Sequence, residues 1–320
     1  MSRIEVTPAQ REGALPYTRA YGVGLAFVTS LISGVAVYTN GHAVRHFDGS
    51  AGFTTAKNIV AAAALGVLLA VVTGRRSRGG WTPPRTLGTR LGLVAVGVVG
   101  GSVPFLLFFE GLSRAASTDA AFIHKTLVVW VAVLAVLVLR ERLGWPHLAA
   151  MAALVAGQAL LTDDLAGLGL GSGEALVLAA TLMWSVEVVI AKRLLGSLSA
   201  LTVGVSRMAL GAVVLVGWLA VTGQLGDLLA YSASQWAWVL LTGLLLTGYV
   251  ATWYAALARA QAVDVTAVLV FGAVVTAALA GLLDGVALRP DLPGLVLVAA
   301  GVAVVALRPR PRPTRPAPAS

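Results

Sequence analysis

A few ionisable side chains stand inside runs that are otherwise apolar, and each implies a definite chemistry. His124 and Lys125 are adjacent near the start of AFIHKTLVVWVAVLAVLVL, residues 121–139. An ammonium near the middle of a bilayer costs on the order of 3 kcal/mol or more, so Lys125 is expected to face protein or water. Two roles stay open. Lys125 could close an ion pair with Glu110, at the end of VPFLLFFEG, that merely pins two helices; or it could line a cavity and bind an anionic or zwitterionic solute. His124 is a candidate proton relay, although helical neighbours point about 100° apart. Glu187, in LMWSVEVVIAKR, is a carboxylate that could exchange a proton for solute, or pair with Lys192 or Arg207 near the inner surface. Lys57 and Arg207 occupy matched positions near the entrances of their runs. That symmetry favours a structural role, holding helix-end carbonyls or lipid headgroups. Asn40, Tyr38, Trp184, Tyr249 and Trp253 are candidates to line a cavity, where the aromatics could stack on cargo; aromatics at run ends also serve as interfacial anchors.

Other chemistry is excluded. The chain has no cysteine, hence no disulfide, thiolate zinc site or cysteine nucleophile. There is no HExxH, and one intramembrane histidine cannot assemble a set of imidazole ligands, so neither metal nor cofactor is expected. No Walker sequence is present to drive ATP hydrolysis. The glycine spacing in TDDLAGLGLGSGE loosely imitates a dinucleotide fingerprint, but no strand precedes it and it is expected to be a linker.

These residues must be positioned by helices in lipid. Of 320 residues, 58% are hydrophobic and 12% charged, and the mean hydropathy is +0.87; no water-soluble domain needs so apolar a chain. Ten apolar runs can be marked, at about 20–41, 53–73, 91–110, 118–139, 145–162, 174–191, 200–221, 236–256, 263–283 and 292–307. All are predicted to be helices, because backbone groups in lipid must be satisfied within their own segment. The first run is too long for the apolar core of a signal peptide and is expected to be retained. With the N-terminus inside, 17 of the 23 Lys and Arg fall on the cytoplasmic side, the bias that places both termini in the cytoplasm. The formal charge of +9 therefore reflects topology and implies no nucleic-acid partner.

The two halves repeat one another. LISGVAVYTN at Leu31 resembles LMWSVEVVIA at Leu182, and TTAKNIVAAAAL around Lys57 resembles GVSRMALGAVVL around Arg207. FFEGLSRAASTDAA from Phe108 lies over WYAALARAQAVDVT from Trp253; GWPHL matches LRPDL, and Gly157 matches Gly301. In this register Glu110, His124 and Lys125 correspond to Ala255, Leu269 and Val270, so those charges belong to one repeat alone. Five helices per repeat is an odd number, so the second repeat enters from the opposite side. The expected organisation is a cytoplasmic leader (1–18), a five-helix repeat (19–162), an external linker (163–173), a second five-helix repeat (174–307) and a Pro/Arg-rich cytoplasmic tail (308–320). Gly97 with Gly101, and Gly281 with Gly285, are spaced for close helix packing.

With these motifs in hand, the chain resembles the drug/metabolite transporter superfamily, specifically EamA-like permeases. Trp184-Ser185, the matched Lys57 and Arg207, LSRAASTDAAFI and LARAQAVDVTAV, and LRERLGWPHL carry the resemblance. It implies an all-α membrane protein of ten transmembrane helices, in which the first, third, fourth, sixth, eighth and ninth runs surround a central cavity and the fifth and tenth lie at the periphery. His124-Lys125-Thr126 departs from the proline or small residues common in relatives. The small multidrug exporters, a remote likeness of one repeat, carry an essential glutamate in their first helix, comparable to Glu187. The expected function is a secondary transporter, an exporter of small organic solutes such as amino acids, metabolites or drugs, in a prokaryotic plasma membrane. Partners are the solute, the bilayer and, through Glu187, protons as coupling ion, with facilitated diffusion equally compatible. Monomer and homodimer both remain open. The alternatives are a non-transporting sensor or lipid-binding scaffold, and an intramembrane enzyme built on Glu110, His124 and Glu187.

Overall fold

The computed structural model describes residues 17–75, 80–112, 114–115, 117–161, 171–285 and 292–307. The cytoplasmic tail, most of the leader and most of the expected linker lie outside the described residues. Among those residues the regular structure is helical, with no strand. In chain order the helices are α1 (Tyr17–Ala43), α2 (Ser50–Gly74), α3 (Leu87–Ala95), α4 (Val103–Leu112), α5 (Ser117–Lys125), α6 (Leu127–Leu134), α7 (Trp145–Leu160), α8 (Ser172–Leu194), α9 (Ala200–Val221), α10 (Ala233–Leu257), α11 (Ala262–Leu269), α12 (Gly272–Leu283) and α13 (Leu292–Ala306). Local sequence explains several starts: the Ser199 hydroxyl accepts from the Thr202 N–H, while Ser232 and Gln235 exchange bonds at the head of α10.

Eight stretches are long and apolar enough to cross a bilayer. The fifth and tenth apolar runs fold instead as α7, of 16 residues, and α13, of 15 among the described residues, against the roughly twenty that a span uses. The expected ten spans thus become, among the described residues, eight long ones and a shorter pair. Large apolar side chains such as Val67, Leu137, Val213 and Leu244 are exposed on the outside of the bundle, as contact with lipid requires.

Three spans are interrupted. Residues Val96–Gly100 form a π turn between α3 and α4, where GGSVP weakens the helix. α5 and α6 break at Thr126, whose hydroxyl donates to the Ile123 carbonyl at 2.6 Å and accepts from the Trp130 indole at 3.0 Å. α11 and α12 break at Val270 and Phe271, the positions matched to Lys125 and Thr126 in the other repeat. Both repeats therefore interrupt the same helix at the same place.

The packing exchanges the two halves. α1 lies along α10 as α4 lies along α8, whereas α2 packs on its counterpart α9 and α7 on its counterpart α13. Gly157 of α7 abuts Gly294 of α13, while Ala150 abuts Gly301, so the two run antiparallel and the repeats have opposite sense. A methyl group on Gly157 would stand 2.8 Å from the Gly294 carbonyl oxygen. Gly157→Ala is therefore expected to cost about 1–3 kcal/mol, read as a lower unfolding midpoint in detergent; an unchanged midpoint would show that this seam is slack.

The glycine expectations divide. Gly97 packs against Leu210 and Gly101 against Gly211, drawing the interrupted third span onto α9. Gly285 instead lies beyond α12 with φ 71°, in open space, so the second spacing runs past a helix end and is not a packing face.

Candidate functional site

A deeply buried carboxylate stands on α8. Glu187 is 3% exposed and Tyr254 of α10 is fully buried; the tyrosine hydroxyl donates to Glu187 Oε1 at 2.5 Å. Arg207 of α9, 7% exposed, brings its Nε to 3.9 Å from the same oxygen. The guanidinium is held by Nη2, which donates to the Gly100 carbonyl at 2.8 Å. That carbonyl also accepts from the Trp184 indole at 3.1 Å. It is available because the π turn ends there and leaves oxygens unclaimed by the helix. Gly100 must be glycine at this point: a Cβ would collide with the Glu187 side chain and stand 3.2 Å from Arg207 Nε. Three helices and a broken fourth thus converge on one carboxylate.

Aromatic rings extend the cluster. Phe105 lies beneath the guanidinium, 5.9 Å from it, and meets Trp184 edge-on at 5.3 Å. Trp184 in turn contacts His124 at 5.0 Å and Phe108 at 5.6 Å. Tyr249 stacks almost parallel on Trp253, with centroids 6.0 Å apart. Trp184, His124 and the Glu187 pair with Arg207 are therefore parts of one assembly.

The matched charge in the other repeat has a looser setting. Lys57 Nζ donates to Asn40 Oδ1 at 3.3 Å and lies over Phe53 and Phe109, at 5.1 and 5.9 Å. Phe109 corresponds to Tyr254 in the repeat register, so Lys57 lies over the position of its own repeat's third helix that, in the second repeat, donates to the carboxylate beside Arg207. Each repeat supplies a buried base and an aromatic; only the second adds a carboxylate.

A family model of the EamA-like transporter family matches residues 20–162 and again 171–307. The chain belongs to the EamA-like transporter family. Its members are membrane transporters of small solutes, not enzymes. A solved crystal structure is similar over 90% of this chain and 97% of its own, with a TM-score of 0.68 at 17% identity; the likeness concerns the fold alone. No curated protein matches the sequence.

Within this EamA-like bundle several expected residues are placed differently. Glu110 does not meet Lys125: it is half exposed and pairs with Arg114, one turn along the chain, with Nε at 3.0 Å. Glu110 is at the end of its helix, where the local arginine reaches it first. Lys125 is partly buried and has no hydrogen bond or ion pair among the described residues. Tyr38 lies away from the assembly; its hydroxyl donates to Asp284 Oδ1 at 2.8 Å at the exposed ends of α1 and α12. Lys192 leaves Glu187 to Arg207 and donates to the last carbonyl of α10, Leu257 at 2.5 Å, and to the Ala260 carbonyl just beyond it at 2.6 Å. Arg207 holds a helix carbonyl, but deep in the bundle and not at a headgroup.

Sequence inspection passed over a second polar centre. Asp264, with no exposure, accepts from Arg19 Nε at 2.9 Å and lies 3.2 Å from His147 Nε2. Arg19 also donates to the Val305 carbonyl at 3.1 Å, so the cluster ties α1, α7, α11 and α13 together at one end. Beside it the Glu141 carboxylate accepts from the Ala262 N–H at 2.8 Å, at the positive start of α11. The signal for it was an aspartate opening an apolar helix in a motif common to both repeats.

Proposed function

We propose that this EamA-like protein is a secondary transporter that exports small organic solutes, such as amino acids, metabolites or drugs, by alternating access. The observation that carries the proposal is the buried Glu187–Tyr254–Arg207 cluster, joined to the broken third span at Gly100. A carboxylate isolated in a membrane bundle is costly and serves naturally as a proton carrier. Interrupted helices free backbone groups for a solute at mid-depth, and the exchange of halves in the packing suits two alternating states.

In this reading the chain lies in a prokaryotic plasma membrane with both termini in the cytoplasm. The Asp264 and Glu187 clusters then close the inner half while Lys57 and Asn40 lie in the outer half. Protein purified into liposomes tests the function. Saturable passage of an unchanged solute, steeper under an imposed pH gradient, is the expected result; a chemically altered product or no flux across a broad solute panel would defeat it. Single cysteines introduced at Ser2 and Ser320 of this cysteine-free chain report the orientation of both ends.

A further inference from the structure

We infer that the solute is an organic anion with a flat apolar body, its acidic group held at Arg207 and its ring system lying against Phe105 and Trp184 toward His124. The inference rests on the transporter reading above and narrows it to a substrate class.

The first support is a charge imbalance. Among the described residues, the Lys, Arg, Asp and Glu side chains about two turns inside a spanning stretch are Lys57 and Arg207 against Glu187, and Lys125 adds a third cation beside the break of its own stretch, nearer that stretch's start. Three cations face one carboxylate. A bundle interior that carried cations or neutral molecules would gain nothing from uncompensated ammonium groups, each expensive at this depth. An anion offsets them whenever it is bound.

Unfilled hydrogen-bonding capacity is the second support. Arg207 Nε is buried and makes no hydrogen bond, since Glu187 remains 3.9 Å away. At the other end of the ring cluster, His124 Nδ1 is also buried without a hydrogen bond. Leaving a buried polar atom unmet costs about 1–3 kcal/mol, and structures keep such atoms where a ligand completes them. Between the two stand Phe105 and Trp184, which meet edge-on with centroids 5.3 Å apart and leave their remaining faces and edges to a planar body by offset or edge contacts. A guanidinium presents a fork that matches a carboxylate or sulfonate.

Lys125 adds to the same end as His124, to which it is adjacent in sequence. Of these three cations it is the one without a hydrogen bond or ion pair among the described residues, and it has no counterpart in the second repeat, where Val270 occupies its place. The first repeat has acquired a positive charge at a helix break, which is where freed backbone and bound solute meet.

The test compares two probes of the same two-ring shape and opposite permanent charge, naphthalene-2-sulfonate and N-methylquinolinium, in proteoliposomes. Saturable uptake of the sulfonate, and at least tenfold slower uptake of the cation, is expected. Preference for the cation would overturn the anion assignment while leaving transport intact. No saturable flux of either probe, or of any solute in the wider panel, would instead remove the transporter reading itself. Arg207→Gln should raise the half-saturation concentration for the sulfonate tenfold or more. Because that substitution touches a buried network, Lys125→Gln provides an independent measurement: a rise of about tenfold at unchanged yield and elution volume, reversed in Lys125→Arg. Half-saturation unchanged in Lys125→Gln, with folded protein, would overturn the placement.

Discussion

Glu187→Gln is expected to yield a folded protein whose flux no longer responds to a pH gradient. Glutamine has nearly the same shape, and its carbonyl oxygen still accepts the Tyr254 hydroxyl that lies 2.5 Å from Glu187. Arg207 keeps its bond to the Gly100 carbonyl and its place over Phe105, and it loses only an ion pair stretched to 3.9 Å. What disappears is the group able to carry a proton. Arg207 stays charged and the Tyr254 hydroxyl is committed as a donor, so neither partner of Glu187 is a substitute carrier. Downhill exchange of solute should persist, whereas the gradient-driven component should fall at least tenfold, a loss of about 1.4 kcal/mol in effective coupling. Paired flux measurements with and without a pH step decide the matter. If the two proteins respond equally to the step, Glu187 is a structural anchor and the coupling lies elsewhere.

Asp264→Ala is the substitution with the largest expected effect on stability. The native carboxylate is fully buried and receives Arg19 from α1 and His147 from α7. Removing it takes the shared carboxylate from the buried His147 imidazole and from Arg19, whose side chain is 32% exposed, at a cost that solvent access to Arg19 holds below the ~3–5 kcal/mol of a fully buried pair. Since Arg19 also holds Val305 of α13, four helices lose their common tie. The unfolding midpoint in detergent should drop by several degrees, with a lower yield. Asp264→Asn should recover part of the loss, because the amide oxygen still accepts from Arg19. A midpoint equal to that of the native protein would mean that the cluster contributes nothing net, as some buried ion pairs do.

The sequence made the bundle plain and the site only partly so. Apolar run length exposes helices directly, because lipid forbids other ways of satisfying the backbone. The internal repeat gave the two halves, and the antiparallel contact of Gly157 with Gly294 bears out their opposite sense. Interruptions were harder: nothing in LVVWV signals that the helix pauses at Thr126, since the pause is imposed by a side-chain bond to Ile123. Ion-pair choice was harder still. Lys125 and Glu110 are close in sequence and of opposite sign, yet Arg114 is closer to Glu110 along the same turn. Arg19 and Asp264 are separated by 245 residues, and only the fold brings them together. Tyr254 escaped notice because its neighbours Tyr249 and Trp253 looked equally suited, and periodicity alone does not say which ring reaches the carboxylate.

The brevity of α7 has a mechanical outcome for the surrounding lipid. Bounded by Gly144 and Leu161, its 16 residues rise about 24 Å at 1.5 Å per residue, against a hydrocarbon thickness of about 30 Å. The neighbouring spans are long enough to match that thickness, so the deficit falls on one edge of the molecule. There the two leaflets must pinch toward each other, and the protein will be surrounded by an asymmetric collar of compressed acyl chains.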